Sequence, residues 1–173
     1  SEESEAEQEV IYPSASIQMN SGKITNIFGG GNGACSIGAT TVVINGGQVD
    51  SICGGGCTGL TRDNHVGHAH VVVNHCDSKA TVYGGSGEGY ATTTEVLVEI
   101  NDGAYSYVTI GGSNGYTTRG KVIVNGGTID VLQGGNRGQL SDVEYEINGG
   151  TIAKLYAVGE GGNDNPADDP IVQ

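Results

Sequence analysis

The sequence predicts an all-β chain wound as a parallel β-solenoid, about six coils long with Asn-Gly-Gly corners. Three observations carry this. The first is a repeated phrase, most complete from Lys121 to Gly135 (KVIVNGGTIDVLQGG), which returns five more times with decay. Aligned on Asn20, Asn45, Asn74, Asn101, Asn125 and Asn148, its copies lie 25, 29, 27, 24 and 23 residues apart, and self-similarity at such a period marks a stacked repeat. The second is apolar alternation at period two, as in Val122/Val124, which marks strands. The third is glycine at the corners. Gly stands two residues after the Asn in five copies, with Cys76 in the third, and a second pair follows at Gly29-Gly30, Gly54-Gly55, Gly84-Gly85, Gly111-Gly112 and Gly134-Gly135, while Ala157-Val158 breaks the sixth. Asn and Gly tolerate the backbone angles of tight turns, and this much glycine is hostile to helix. Hairpins are the rival, but they do not call for the same turn residue once per repeat.

One repeat per coil stacks like residues on like, about 4.8 Å apart, giving a rod roughly 25–30 Å long. The Asn column then becomes a ladder of side-chain amides. Ile17, Val42, Val71, Val98, Val122 and Tyr145 form one inward column, and Met19, Ile44, Val73, Ile100, Val124 and Ile147 a second. After the corner, Ile24, Val49, Ile129 and Ile152 form a third, and Ile27, Ile52, Val82, Leu132 and Leu155 a fourth. Coils three and four each carry one extra residue there, so a bulge is expected. Gln18, Val43, Val72, Glu99, Ile123 and Glu146 should face outward, which leaves Val43 beside Val72 as an exposed apolar pair.

Taken in order, residues 1–15 open acidic and polar (SEESEAEQEVIYPSA) and read as a linker or N-terminal cap, residues 16–160 as the solenoid, and residues 161–173 as a C-terminal linker rich in Asn, Asp and Pro. Solenoid ends need covering, so neighbouring domains of a longer chain or an oligomer are expected. Coil two carries the longest insertion (GCTGLTRDNHVGHAH), with Cys53 and Cys57 at or just before its start and Cys35 and Cys76 in the flanking coils. Cys35 and Cys57 hold similar loop positions in adjacent coils, which favours disulfides Cys35–Cys57 and Cys53–Cys76; buried thiols and a metal site are the other readings.

All four histidines, His65, His68, His70 and His75, fall in one window that could collect Zn²⁺, Ni²⁺ or Cu²⁺. His68 and His70 alternate and would share a strand face. No carboxylate is fixed beside them by local sequence, so a solvated polar loop is the plainer reading. Coils three and four share a Gly-Tyr phrase that would bring Tyr90 beside Tyr116, either as a sugar-binding platform or as packed core. Phe28, Tyr83 and Tyr156 precede glycine corners in non-adjacent coils. Calcium could use the acidic tail, although it has neither EF-hand spacing nor Gly-rich nonapeptides.

The chain of 173 residues has net charge −13 with seven Lys and Arg, which argues against nucleic acid and anionic membrane as partners, since both need a basic footprint. No apolar run is long enough for a membrane-inserted helix. With no Trp and one Phe, the core must be aliphatic.

The Asn-Gly-Gly corners, Asn ladder and aliphatic columns over about residues 16–160 resemble the right-handed parallel β-helix of pectate lyases and of bacterial adhesin-like surface proteins. The resemblance implies a single-stranded right-handed coil and, with the cysteines, an extracellular or bacterial cell-surface setting. A lyase of this kind needs stacked Asp for Ca²⁺ and a basic residue to take a proton. Asp50 and Asp130 are three coils apart. Arg119 and Arg137, read as neighbouring loop residues with Glu88 and Asp142 nearby, could make an active site or surface ion pairs. The expected function is therefore a non-catalytic module for adhesion, display or spacing, with a glycan or cell-surface protein as partner and no obligatory cofactor. The alternative is a polysaccharide-active lyase or glycoside hydrolase, or a fragment of one. Ice binding would want a Thr column more regular than this chain offers.

Overall fold

The computed structural model describes residues 11–57, 64–87, 91–113, 115–135 and 140–159. Among the described residues, twelve strands alternate between two parallel sheets. The first holds β1 (Ile11–Met19), β3 (Cys35–Ile44), β5 (Asn64–Val73), β7 (Thr92–Ile100), β9 (Tyr116–Val124) and β11 (Asp142–Ile147). The second holds β2 (Lys23–Phe28), β4 (Gln48–Cys53), β6 (Ala80–Tyr83), β8 (Ala104–Thr109), β10 (Thr128–Gln133) and β12 (Thr151–Tyr156). Every pairing is parallel and joins a strand to its counterpart one repeat away, so this is a β-solenoid and not a set of hairpins. The expected six coils correspond to about five complete turns, because the chain enters on the first strand of one sheet and leaves on the last strand of the other.

The columns stack as the alternation predicts. Ile17 pairs with Val42, Val71, Val98, Val122 and Tyr145 in turn, and Met19 with Ile44, Val73, Ile100, Val124 and Ile147. The middle four of each are sealed from solvent. Ile27, Ile52, Val82, Val108, Leu132 and Leu155 form the facing column, including Val108, which coil four supplies after its irregularity. Burying an aliphatic side chain of this kind contributes about 1.5–3 kcal/mol, so the columns are the main source of stability.

The Asn-Gly corner works as the residue types require. Gly22, Gly47, Gly103, Gly127 and Gly150 have φ between 84° and 113°, and no non-glycine residue among those described has positive φ. The Asn side chains make an unbroken ladder, Nδ2 of each donating to Oδ1 of the one before at 2.7–2.9 Å. It runs along the solvent side of the turn.

The expected bulge is present. Ala80 pairs with Tyr105 but Thr81 with Tyr107, leaving Ser106 as the extra residue. Coil three solves its own extra residue differently. Cys76 replaces the turn glycine, β6 starts late, and the Ser78 hydroxyl accepts from Val49 N and donates to Val49 O, standing in for backbone. In coil four the slip moves the glycine pair one place on, so Ile110 stands where Gly84 and Gly134 stand in the coils on either side. Gly120 faces it, and a Cβ there would lie 2.3 Å from Ile110 Cγ2.

Each long strand of the first sheet changes phase once. In β3, Gly38 and Ala39 are consecutive and both point away from the core, and the register steps from Tyr12–Ile37 to Ser14–Ala39 without a Pro13–Gly38 pair. This is where Pro13 is tolerated, on an edge strand at a rung that forms no bridge. β1 already includes Ile11, so residues 11–15, read above as linker or cap, belong to the solenoid.

The disulfides are not formed. All four cysteines are thiols, with Cys35, Cys53 and Cys76 buried and Cys57 half-buried. Register is the reason. Cys35 faces Asn64, and Cys57 faces Asn32. Cys76 lies at the corner before β6, its Sγ 3.6 Å from Gly47 O, while Cys53 closes β4 beside Phe28 and Tyr83. A strand of six residues, roughly 20 Å at about 3.3 Å per residue, separates those two corners, far beyond disulfide reach.

Candidate functional site

The outer face of the first sheet carries three parallel columns. Ser14, Ala39, His68, Glu95, Arg119 and Asp142 form one, Ser16, Thr41, His70, Leu97, Lys121 and Glu144 the next, and Gln18, Val43, Val72, Glu99, Ile123 and Glu146 the third. The face is uncharged toward the first coils, where Val43 sits beside Val72 as expected, and charged toward the last.

Three of the four histidines meet carboxylates from the next coil, which local sequence did not reveal. His68 Nδ1 lies 2.6 Å from Glu95 Oε2, and His70 Nε2 2.6 Å from Glu99 Oε2. His75, in the turn, places Nδ1 3.0 Å from Asp102 Oδ2 and Nε2 3.0 Å from Asp77 Oδ1. His65 Nδ1 lies 2.7 Å from Thr92 Oγ1. The signal was present one repeat away. The 27-residue step from Asn74 to Asn101 also leads from His65 to Thr92, from His68 to Glu95 and from His75 to Asp102. His68 and His70 do share a face, separated by the buried Ala69.

Two carboxylates can only accept from the His75 ring, so both contacts become hydrogen bonds only in the imidazolium form. Its pKa is raised, first by the hydrogen bond to Asp102 and then by Asp77. Asp102 is held below the usual carboxylate range, first by the Gly103 N–H and then by His75. Both side chains are exposed, so these contacts set protonation more than stability.

Arg119 lies on β9, not in a loop, and its guanidinium is bound to Glu95. Glu95 therefore links His68 and Arg119 across three coils. Lys121 Nζ holds Glu144 and Glu146, each at 2.8 Å, which raises the lysine pKa and lowers that of Glu146. Arg137, Tyr90 and Glu88 lie outside the described residues, as does the acidic tail offered for calcium.

Tyr116 is exposed at the start of β9, and the rung beside it is Thr92. Tyr83 is half-buried, and burial pushes its hydroxyl pKa up. It belongs to the column Phe28, Cys53, Tyr83, Thr109, Gln133 and Tyr156, in which the aromatic rings are separated by smaller or polar residues. Among the described residues no three His, Cys, Asp or Glu side chains converge on a point where a metal ion could sit.

Sequence reasoning also missed Asn64. Buried at the start of β5, it donates from Nδ2 to Gly31 O and Gly33 O, both at 2.8 Å, and so satisfies the carbonyls of the coil-one corner. No family model, no curated protein and no solved structure matches this chain, so what the Asn-Gly-Gly corners establish is the parallel β-solenoid itself.

Proposed function

We propose that this chain is a non-catalytic extracellular module of a bacterial surface protein, acting in adhesion or display through the outer face of its first sheet. The resemblance behind that setting also implies a right-handed coil. The observation that carries the reading is the chain His68–Glu95–Arg119. The base and acid that a polysaccharide lyase would need there are bound to each other, as structural ion pairs are. A face of three columns in register over six strands gives a platform for a repeating partner such as a glycan, with Tyr116 at the start of β9 as a stacking residue and Arg119 and the histidines as polar contacts.

A glycan array, run with and without Ca²⁺ and Zn²⁺, tests this when paired with absorbance detection of unsaturated products on acidic polysaccharides. Binding without turnover, weakened by Tyr116→Ala, is the expected result. Metal-dependent binding would direct attention to the histidines or the acidic tail. Turnover would overturn the proposal in favour of a lyase, and silence in both assays would remove the glycan and leave display or protein binding.

A further inference from the structure

The contact between coils inside this molecule is one interface used repeatedly, and it has a direction. At every turn the backbone N–H of the later Asn donates to the coil before it: Asn45 to Met19 O, Asn74 to Ile44 O, Asn101 to Val73 O, Asn125 to Ile100 O and Asn148 to Val124 O. The side-chain ladder points the same way at all five rungs. So do the bonds from Gln48 N to Gly22 O, Thr128 N to Gly103 O and Thr151 N to Gly127 O. By that rule the Asn corner of the last coil presents acceptors, namely Ile147 O, Asn148 Oδ1 and Gly150 O, and that of the first coil presents donors, namely Asn20 N and Nδ2 and Lys23 N. At the glycine corner the direction reverses, with Gly29 N donating to Cys53 O, Gly54 N to Tyr83 O and Gly84 N to Thr109 O, so there the first coil presents acceptors and the last coil donors. Each corner of one end completes the same corner of the other.

The side chains agree. In the same register Ile17, Met19, Ile24 and Ile27 would lie over Tyr145, Ile147, Ile152 and Leu155. These are core columns, yet Ile24 is 41% exposed, Ile147 45% and Leu155 49%, each in a terminal coil of the described stack. On the outer face Asp142, Glu144 and Glu146 would meet Ser14, Ser16 and Gln18, which bring hydroxyl and amide donors and no like charge. We propose that the solenoid associates end to end with a second copy of itself, the first coil of one molecule seated on the last coil of another. Such a contact is heterologous and does not close, so it builds linear chains. It is also salt-dependent, because each copy carries a net charge of −13 and the copies repel at low salt.

Sedimentation velocity tests this on the full chain, at salt from about 0.01 M to about 1 M, where the screening length falls from about 30 Å to about 3 Å. The expected result is a series of oligomers that lengthens with salt. Ile24→Lys and Leu155→Asp each spoil one end at an already exposed position. Either variant alone should remain monomeric, with circular dichroism confirming the fold. Their mixture should give dimers and nothing larger, because only one intact junction can form between them. A wild-type protein that stays monomeric at high salt overturns the proposal. So does association that survives in both single variants, which would place the contact on a sheet face, or a mixture that fails to dimerise.

Discussion

Ile110 fills the space that Gly120 leaves open. The column of Gly120 otherwise carries Ala15, Thr40, Ala69, Val96 and Val143, and Ile110 replaces a corner glycine, so two departures from the repeat compensate each other across the core. A Cβ on residue 120 would meet Ile110 Cγ2 at 2.3 Å and Val96 O at 2.9 Å. Gly120→Ala should therefore destabilise the protein by about 1–3 kcal/mol, the usual cost of overpacking. In an Ile110→Ala background that added cost should shrink, a coupling that urea denaturation of the double-mutant cycle would measure. Equal costs in both backgrounds would mean the backbone contact with Val96 dominates.

The Asn ladder should behave as a chain of equal links with weak ends. Asn74 donates to Asn45 and accepts from Asn101, whereas Asn20, at the end, has one ladder partner. At about 0.5–1.5 kcal/mol net per hydrogen bond, Asn74→Ala should cost roughly 1–3 kcal/mol and Asn20→Ala about half that. Thermal unfolding of the two variants compares them directly. Equal small losses would show that solvent replaces the ladder without penalty.

His75 should titrate above the ordinary histidine value of 6.5, observable by NMR of its ring protons. A raised folded-state pKa means that the stabilisation from this group is fully present below the unfolded value and is lost as pH rises through the folded one. Asp102, with a lowered pKa, contributes above its unfolded value and loses that contribution as pH falls through the folded one. The pair is thus most effective between the lowered Asp102 pKa and the raised His75 pKa. Asp102→Asn should bring the His75 titration back toward 6.5, and a titration unmoved by that change would contradict the assignment.

The thiols give a chemical check on register. Alkylation of the native protein should modify Cys57 first, because it is half-buried, while Cys35, Cys53 and Cys76 wait for unfolding. Mass spectrometry after denaturation without reductant should count four modified cysteines. Two fewer would mean that a disulfide forms after all and that the corner containing it is arranged differently.

A solenoid turns a one-dimensional period into a spatial neighbour, and that is why so much of this fold is legible. Sequence alone determined the first sheet's inward columns, the Asn ladder and the glycine corners, because each follows from alternation and from a residue type recurring once per turn, and it showed an extra residue in coils three and four without saying which would bulge. It even held the His68–Glu95 and His75–Asp102 contacts, one repeat apart, although nothing local to the histidines pointed to them. Tertiary structure decided what depends on the exact count of residues around each corner. That count sets Thr92 beside Tyr116, brings Ile110 into a glycine position and carries Cys53 and Cys76 to opposite ends of a strand. The physical reason is that loops of unequal length shift the phase of the chain as it re-enters the stack, and only the packed coils, by burying the next apolar column, select which phase is kept.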